Sequence, residues 1–486
     1  MSTDRIRFLL NNEVISLVNI DPNQTVLDYL RLQRSVKGTK EGCGSGDCGA
    51  CTVVVAELSN EPIPQLRYRT INSCLSLIGS LHGKQLITVE DLKQVDQLHP
   101  VQQAFVDHHA SQCGFCTPGF IMSSFALHKS NPSPSRQNVK EAFAGNLCRC
   151  TGYASIVDAG MESTQNAPED SFAKQASETI AQLTSFKELP ALQIKNSTGT
   201  YHAPINLAEL SELLLANPEA ILIAGGTDLV LLITQHLKSF KHLIYLGNVE
   251  ELNRVDETKE QIIIGSAVPY NLFSPILAEH YPDFGEMINR IGSTQIRNLG
   301  TLGGNIGNAS PIGDMPPALI ALDAKITLQR GDQTREIPLE DYFTGYKKTI
   351  LASSEFIKEI IIEKSKQGQF LKIYKVSKRL DDDISTVLAA ISIQIKNGSV
   401  CALKIAFGGM AAIPKRARHS ELALLDKPFC EKNIKLAQIA LSKDFQPLSD
   451  VRASTQYRLK IAQNILLKCY LELKDESIQS RVTDFA

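Results

Sequence analysis

Eight of the eleven cysteines in this 486-residue chain fall into two sets of four with regular spacing. The first set reads C-x4-C-x2-C with a distant fourth member, and comprises Cys43, Cys48, Cys51 and Cys74. The second reads C-x2-C, a long gap and then C-x-C, and comprises Cys113, Cys116, Cys148 and Cys150. The first spacing is typical of a plant-type [2Fe–2S] cluster. The two sets therefore predict two one-electron carriers near the start of the chain.

Glycines surround the first three cysteines, at Gly42, Gly44, Gly46 and Gly49. They let the backbone fold tightly over a small inorganic cluster and bring amide N–H groups close to its sulfides. Zinc is the alternative ligand for both sets. The C-x4-C-x2-C spacing is awkward for tetrahedral zinc, whereas the two pairs of the second set suit it better, although C-x-C is uncommon in zinc sites.

At 486 residues the chain is too long for one core, so we expect several domains. The composition is that of an ordinary globular protein, because 43% of residues are hydrophobic, 21% are charged and the net charge is −2. Such a charge does not point to nucleic acid or to an anionic membrane as a partner. We see neither an uninterrupted apolar run of about 18 residues nor a signal peptide. We therefore expect a cytoplasmic protein with reduced cysteines, in which the isolated Cys401, Cys430 and Cys469 are inert.

Local patterns predict the elements around the cysteines. Strands at 5–10 and 13–18 form a hairpin around Asn11 and Asn12, Thr25 caps a helix that runs to about Arg34, and a buried strand covers 52–56. Thr117 is the expected cap of the next helix, with Pro118 at its first position, and another helix covers 135–144. The second cysteine set then lies at the ends of facing helices.

Two glycine-rich segments follow in the second half. A predicted helix at 207–216 leads to a buried strand at 221–224 and then to Gly225, Gly226, Thr227 and Asp228. Bare amides after a strand can surround phosphate oxygens, although the same pattern occurs in simple turns. The segment from Gln295 to Asn308 can wrap a polar cofactor in the same way, or form a loop without a ligand. Because a flavin links two-electron to one-electron chemistry, the combination favours a flavin.

The motifs C-G-F-C-T-P-G at 113–119 and G-N-L-C-R-C-T-G-Y at 145–153 resemble the iron–sulfur portion of the molybdenum hydroxylases, the family of xanthine dehydrogenases and aldehyde oxidases. I-A-G-G-T-D-L at 223–229 and T-L-G-G-N-I at 301–306 resemble the FAD-binding segments of that family. The resemblance implies a multidomain α+β chain. Its parts are a β-grasp plant-type ferredoxin domain at 1–86, a four-helix [2Fe–2S] domain at 87–164, a linker at 165–195, an α/β FAD-binding domain at 196–368 and a small α+β C-terminal domain at 369–486.

The same resemblance implies the FAD contacts. They are Leu222, Ile223, Ala224, Gly225, Gly226, Thr227, Asp228, Leu229, Thr301, Leu302, Gly303, Gly304, Asn305, Asp314, Ile357 and Lys375. Ile291 stands where purine-oxidising animal relatives have an aromatic residue, so stacking on the cofactor is not expected there. Tyr346 and Asp382 match segments that border the nicotinamide site of the family's dehydrogenases. The alternative for these two is a solvated surface loop.

The resemblance is to the small iron–sulfur/FAD subunit of a split bacterial xanthine dehydrogenase. It implies an electron-transfer subunit with no catalytic residue of its own, in a heterotetramer with two molybdopterin-binding large subunits. Electrons would pass through two [2Fe–2S] clusters to FAD and then to NAD⁺ as hypoxanthine and xanthine are oxidised to urate. Alternatives are aldehyde or other N-heterocycle substrates, oxygen as the acceptor, and a zinc-stapled binding module without a cofactor.

Overall fold

Runs of strands and runs of helices follow one another along the chain in the computed structural model, which describes residues 2–59, 62–94, 97–164, 170–475, 477–478 and 480–482. Residues 165–169 of the predicted linker lie outside the described part. The remainder of that segment contains two helices, so the chain between 170 and 195 is mostly ordered secondary structure rather than an extended connection.

The strands in the described parts of the chain, in order, are β1 Ile6–Leu10, β2 Glu13–Leu17, β3 Thr52–Leu58, β4 Leu66–Asn72, β5 Gln85–Ile87, β6 Leu192–Lys195, β7 Thr200–Ala203, β8 Ile221–Ile223, β9 His242–Tyr245, β10 Val255–Glu257, β11 Gln261–Gly265, β12 Lys325–Arg330, β13 Gln333–Pro338, β14 Phe343–Gly345, β15 Lys348–Thr349, β16 Phe356–Glu363, β17 Gln369–Val376, β18 Val387–Lys396, β19 Ser399–Gly408 and β20 Lys415–Arg416.

The α-helices in the same parts are α1 Val26–Asp28, α2 Val89–Leu92, α3 Pro100–Asp107, α4 Thr117–Ser130, α5 Arg136–Phe143, α6 Ala154–Glu162, α7 Ser171–Lys174, α8 Ala176–Lys187, α9 Leu207–Ala216, α10 Leu231–Thr234, α11 Tyr270–His280, α12 Pro282–Asn289, α13 Thr294–Arg297, α14 Leu302–Gly307, α15 Met315–Ala321, α16 Arg418–Leu424, α17 Glu431–Asp444 and α18 Thr455–Lys474. None of them, within the described chain, is both long and apolar enough to cross a membrane.

The chain divides into two compact units. The first takes in the residues up to Leu210 together with Glu219–Glu250 and Gly292–Gly300. The second takes in Ser211–Pro218, Glu251–Ile291 and the chain from Thr301 onward. The short segment 292–300 is therefore part of the unit that carries the cysteines, although it precedes the second glycine-rich motif directly in sequence.

The first unit begins with a five-stranded sheet in the order β2-β1-β5-β3-β4, in which β1 and β5 are parallel. Asn11 adopts the left-handed conformation at the tip of the predicted hairpin, with φ 52°. Thr25 caps α1 as predicted, because its hydroxyl accepts from the Asp28 N–H at 3.1 Å. The helix then widens into a π-helical turn at Tyr29–Gln33 instead of continuing as an α-helix.

Strand β3 contributes side chains to the hydrophobic cores on both faces of that sheet. Val53 and Val55 belong to the core beneath α1, whereas Val54 and Ala56 belong to the core of the helical region. Successive side chains of a strand point to opposite faces, so the continuous apolar run of β3 joins both cores. In described residues 97–164, four helices of eight residues or more, α3 to α6, form the predicted helical region.

The first unit also holds a four-stranded sheet in the order β6-β7-β9-β8. Strand β8 pairs in parallel with β9 through Leu222 and Ile244. The prediction of a buried strand at 221–224 was wrong in one respect, because Ile221 is exposed and Leu222 only half-buried. The reason is position: β8 is an edge strand of its sheet.

The second unit contains an antiparallel sheet in the order β10-β11-β16-β12-β13 and a further sheet in the order β17-β18-β19-β20. Alternate side chains of strand β18 enter two different hydrophobic cores. Leu388 and Ala390 join the core that includes Phe273 and Ile360, whereas Ala389 and Ile391 join the core beneath α17 and α18. Strands β18 and β19 confirm the strands predicted at 387–395 and 400–407 to within one residue at each end.

Candidate iron–sulfur and flavin sites

The first cysteine set closes between the loop before β3 and the turn after β4. The Sγ atoms of Cys51 and Cys74 are 3.3 Å apart, and both residues are buried. The backbone N–H of Cys43 donates to Cys48 Sγ at 3.4 Å. Cys43 Sγ in turn accepts from the N–H groups of Ser45, Asp47 and Cys48 at 3.3, 3.4 and 3.4 Å, respectively. The structure thus brings all four predicted ligands together as free thiols.

Hydrogen bonds between the thiols favour the ionised form of one member of each pair. The bond from Cys48 lowers the pKa of Cys43 to about 4, and the bond with Cys74 lowers the pKa of Cys51 despite its burial. A thiolate is the form that binds metal. Four converging sulfurs, with backbone N–H groups directed at two of them, Cys43 Sγ and Cys48 Sγ, therefore fit a [2Fe–2S] cluster.

The second set is gathered at the start of α4 and the loop before α6. Cys113 Sγ lies 3.5 Å from Cys150 Sγ, and Cys116 is hydrogen-bonded to Cys148. Burial opposes the Cys148 thiolate, but hydrogen bonds from the Thr151 hydroxyl and the Cys150 N–H outweigh it and lower the Cys148 pKa to about 7. These four sulfurs also fit a cluster. Cys113 and Cys150 are exposed, in contrast to the buried Cys51 and Cys74.

The beginning of α4 differs from the predicted cap. Cys116 is the N-cap and Thr117 is already the first helical residue, with Pro118 second. The Thr117 hydroxyl cannot serve as a cap because it lies inside the helix, where it bonds with the Ser111 hydroxyl at 2.8 Å. This places Cys116, a predicted ligand, directly at the N-terminus of a 14-residue helix.

The first glycine-rich segment follows β8 in the first unit. A Cβ atom at Gly225 would lie 1.8 Å from the Leu299 carbonyl oxygen, so no larger residue fits. Gly226 has φ 73°, and a Cβ there would lie 3.1 Å from the Leu75 carbonyl oxygen. The segment thus presents bare backbone, as a phosphate cradle requires. It also lies against Leu75, the residue that follows the predicted ligand Cys74.

From Thr301 onward, the second glycine-rich segment belongs to the second unit. A Cβ at Gly303 would lie 2.4 Å from Ser266 Cβ. The Thr301 hydroxyl accepts from the Gly304 N–H at 3.0 Å, and Leu302 is buried at the start of α14. Among the described residues the buried Oδ1 atom of Asn305 has no hydrogen-bond partner. A buried acceptor without a donor fits a bound hydroxyl-bearing cofactor.

Asp314 and Lys375, both predicted to contact FAD, lie together in the second unit. Lys375 Nζ is 2.6 Å from Asp314 Oδ2 and also donates to the Arg290 carbonyl oxygen at 2.9 Å. The Ser385 hydroxyl donates to Asp314 Oδ1 at 2.6 Å. Sequence reasoning missed Arg290 and Ser385, because no local pattern links them to this pair. The other two residues of the predicted flavin site in the second unit are Ile357, buried on β16, and Ile291, half-buried against the same core.

The two residues predicted to border a nicotinamide site lie on loops of the second unit. Tyr346 is 63% exposed in the turn between β14 and β15, where Lys347 has φ 51°. Asp382 has φ 51° in the loop between β17 and β18, and its carbonyl oxygen accepts from Arg379 Nη2 at 2.9 Å. The tyrosine ring is therefore accessible for stacking, and a side-chain hydrogen bond fixes the loop of the aspartate.

Sequence reasoning also missed a buried polar cluster in the first unit. The ligand-type atoms of His99, His128 and Asp170 lie within 4.8 Å of one another, as in a metal site. Lys129 Nζ, however, is 2.8 Å from Asp170 Oδ1 and supplies the positive charge. Because His99 Nδ1 accepts from the Val101 N–H at 3.2 Å, its other nitrogen is the one that faces Asp170. The Lys129–Asp170 ion pair and the hydrogen bond from His99 therefore account for this cluster without a metal ion.

Four family models match consecutive parts of the chain: "2Fe-2S iron-sulfur cluster binding domain" at 12–78, "[2Fe-2S] binding domain" at 88–161, "FAD binding domain in molybdopterin dehydrogenase" at 193–364, and "CO dehydrogenase flavoprotein C-terminal domain" at 372–473. The chain carries the iron–sulfur and FAD-binding portion of the molybdenum hydroxylase family. Its fold class is the mixed α+β arrangement predicted from the sequence, with two [2Fe–2S] domains, a flavin domain and a C-terminal domain.

Individual relatives agree with this family. Xanthine dehydrogenase of Emericella nidulans is 31% identical over 539 aligned positions, which cover 99% of this chain and 39% of that protein. Xanthine dehydrogenase/oxidase of Rattus norvegicus is 30% identical, over 97% of this chain and 39% of that protein. The chain thus spans about two fifths of these relatives' length.

Among solved structures, a chain of the carbon monoxide dehydrogenase of Hydrogenophaga pseudoflava superposes with a TM-score of 0.53 at 28% identity, over 55% of this chain and 94% of that one. A chain of the quinoline 2-oxidoreductase of Pseudomonas putida 86 gives a TM-score of 0.53 at 25% identity, over 57% and 98% respectively.

Proposed function

We propose that this chain is the electron-transfer component of a molybdenum hydroxylase of the xanthine dehydrogenase type. The observation that carries the proposal is the presence of two four-thiol sites on the chain that also bears a flavin domain. The clusters would supply one-electron transfer, and the flavin would exchange electrons one or two at a time. The chain's own residues would hold these groups and set their order.

The order of the carriers follows from burial within the first unit. The second cysteine set has two exposed members, Cys113 and Cys150, so it is the set accessible to a donor on another chain. The first set is more buried, and Cys74 is followed by Leu75, whose carbonyl lies against Gly226 of the predicted pyrophosphate segment. Electrons would therefore enter at the second set and leave from the first set toward the flavin.

The donor in this proposal is a molybdopterin-binding large subunit, in a heterotetramer with two copies of each chain. The substrate class is a purine, because the curated relatives described above are xanthine dehydrogenases. A second candidate is another N-heterocycle, favoured by the similarity to a chain of quinoline 2-oxidoreductase. Purine, quinoline and aldehyde would be compared as substrates of the complex with its partner. Turnover of aldehyde alone would refute the purine assignment.

The cluster assignment is tested on the purified complex by metal analysis and electron paramagnetic resonance. We expect about four iron atoms and no stoichiometric zinc per chain, since each set would hold a two-iron cluster. Replacing Cys113 by Ser should abolish one of two paramagnetic signals and leave the other. The matched control is Cys401→Ser, an exposed cysteine outside both sets, which should change neither. Zinc in place of iron would refute the proposal.

NAD⁺ is the proposed acceptor, supported by the exposed ring of Tyr346 and its match to family dehydrogenases. Replacing Tyr346 by Ala should reduce NAD⁺ reduction while flavin content stays unchanged, since the tyrosine would stack on the dinucleotide. Tyr457, an exposed tyrosine on α18, provides the matched control, Tyr457→Ala. Equal turnover under air with and without NAD⁺ would instead identify an oxidase.

A further inference from the structure

The two cysteine-bearing loops of the first unit touch each other through glycines. A Cβ atom at Gly49, between Cys48 and Cys51, would lie 2.2 Å from the Gly145 carbonyl oxygen. A Cβ at Gly119, near the start of α4, would lie 2.3 Å from the Gly49 carbonyl oxygen. Close approach of the two backbones therefore requires glycine at both positions.

A direct hydrogen bond joins the same loops. The Leu147 N–H donates to the Cys48 carbonyl oxygen at 3.0 Å. Leu147 precedes Cys148, a ligand of the second set, whereas Cys48 is itself a ligand of the first. The path from Cys48 to Cys148 therefore runs through covalent backbone bonds and one hydrogen bond. The contact is also stabilised by Asn146, whose Nδ2 donates to the Gly49 carbonyl oxygen at 3.1 Å.

One side chain from outside both loops completes the junction. Gln295, on α13, is fully buried, and its Nε2 donates to Thr52 Oγ1 and to Asn146 Oδ1, each at 3.1 Å. Thr52 follows Cys51 directly, and Asn146 lies two residues before Cys148. The Gln295 amide thus donates one hydrogen bond to a residue next to the first cysteine set and one to a residue near the second set. Its Oε1 faces Gly145, where a Cβ would lie 2.2 Å from it.

We propose that Gln295 is a positioning residue that fixes the two cysteine-bearing loops against each other and so sets the electronic coupling between the two clusters. The proposal rests on the proposed function, because it presumes a cluster at each site. Its physical basis is that electron transfer and magnetic coupling between two carriers weaken steeply with their separation. A buried amide bonded to both loops holds that separation constant. Without its two hydrogen bonds, Asn146 Oδ1 would keep only the Ser123 hydroxyl as a donor, at 2.8 Å, and Thr52 Oγ1 would keep only the longer bond from Asn146 Nδ2, at 3.4 Å.

The test uses the complex of this chain with its partner and two variants, Gln295→Met and Gln295→Glu. Methionine keeps the length of the side chain but cannot donate, and glutamate keeps its shape but replaces the donor by an acceptor. The readout is the splitting of the paramagnetic signals when both clusters are reduced. We expect both variants to retain both signals and to lose or shift the splitting, with slower flavin reduction in rapid-mixing experiments.

Gln235→Met is the matched control. Gln235 Nε2 donates to the carbonyl oxygens of Cys43 and Gly44 at 3.1 and 3.0 Å, and so contacts the first loop without reaching the second. This variant should alter the signal of one cluster and leave the splitting unchanged. Unaltered splitting in both Gln295 variants would overturn the proposal. So would loss of both clusters in both Gln295 variants but not in Gln235→Met, because Gln295 would then serve folding. Absence of iron from the unmodified protein would instead refute the proposed function.

Discussion

Replacing Lys375 by Met tests the buried ion pair in the second unit. The side chains of Lys375 and Asp314 are 2% and 8% exposed, and their charged atoms are 2.6 Å apart. Removing one partner of a buried pair leaves an uncompensated charge and costs roughly 3–5 kcal/mol. Because Asp314 keeps its bond from Ser385, we expect the lower end of this range, about 3 kcal/mol.

A double-mutant cycle separates the pair from its surroundings. Asp314→Asn in the Lys375→Met background removes the stranded charge, so the double variant should be more stable than the sum of the single changes predicts, by about 2 kcal/mol. The matched surface control is Lys325→Met. Lys325 pairs with Glu336 at 2.8 Å, but the two side chains are 43% and 46% exposed. It should cost less than about 1 kcal/mol.

The assay must report on one unit, because a chain of several domains does not unfold in a single step. The chain also lacks tryptophan, so tryptophan fluorescence cannot follow the transition. Hydrogen exchange of amides in β17 and β18 measures the local free energy of opening, and flavin absorbance measures cofactor retention. A Lys375→Met variant whose strands exchange as slowly as those of the Lys325→Met control would show that the pair contributes little.

Two further outcomes follow from local environments. Burial is the main cause that lowers the pKa of His82 to about 4 from 6.5. Since the unfolded chain takes up a proton first, the stability of the first unit should fall by at most about 3 kcal/mol as the pH drops from 6.5 to 4. Hydrogen exchange of amides in β1, whose Arg7 N–H donates to His82 Nδ1, should show this loss in the unmodified protein and lack it in a His82→Gln variant. Gly303→Val should release FAD but keep iron, because the valine side chain would collide with Ser266. The control is Gly307→Ala, whose Cβ would lie 3.8 Å from Ile357 and so fits. Equal flavin content in the two variants would contradict the assignment of this segment to FAD binding.

Local sequence patterns predicted elements whose causes are local. Helix α9 covers Leu207–Ala216 as predicted, and Thr25 caps its helix, because apolar spacing and a hydroxyl before the first turn act within a few residues. The π-helical turn after α1 and the edge position of β8 were not predictable, since both depend on what packs alongside. The ion pair between Lys375 and Asp314 was not predictable either. Each residue was predicted singly from family motifs, but the two are 61 positions apart in sequence and meet only in the folded chain.

The sequence by itself determined which sulfur atoms are available as cluster ligands, because the spacing of the cysteines and the glycines between them are properties of the covalent chain. Tertiary structure alone decided how the two cysteine sets relate to each other. Gln295 lies 149 residues after Asn146 and 243 after Thr52, and no spacing rule joins residues so far apart. The junction exists because packing brings these loops together, and the buried amide nitrogen of Gln295 then finds acceptors on both of them.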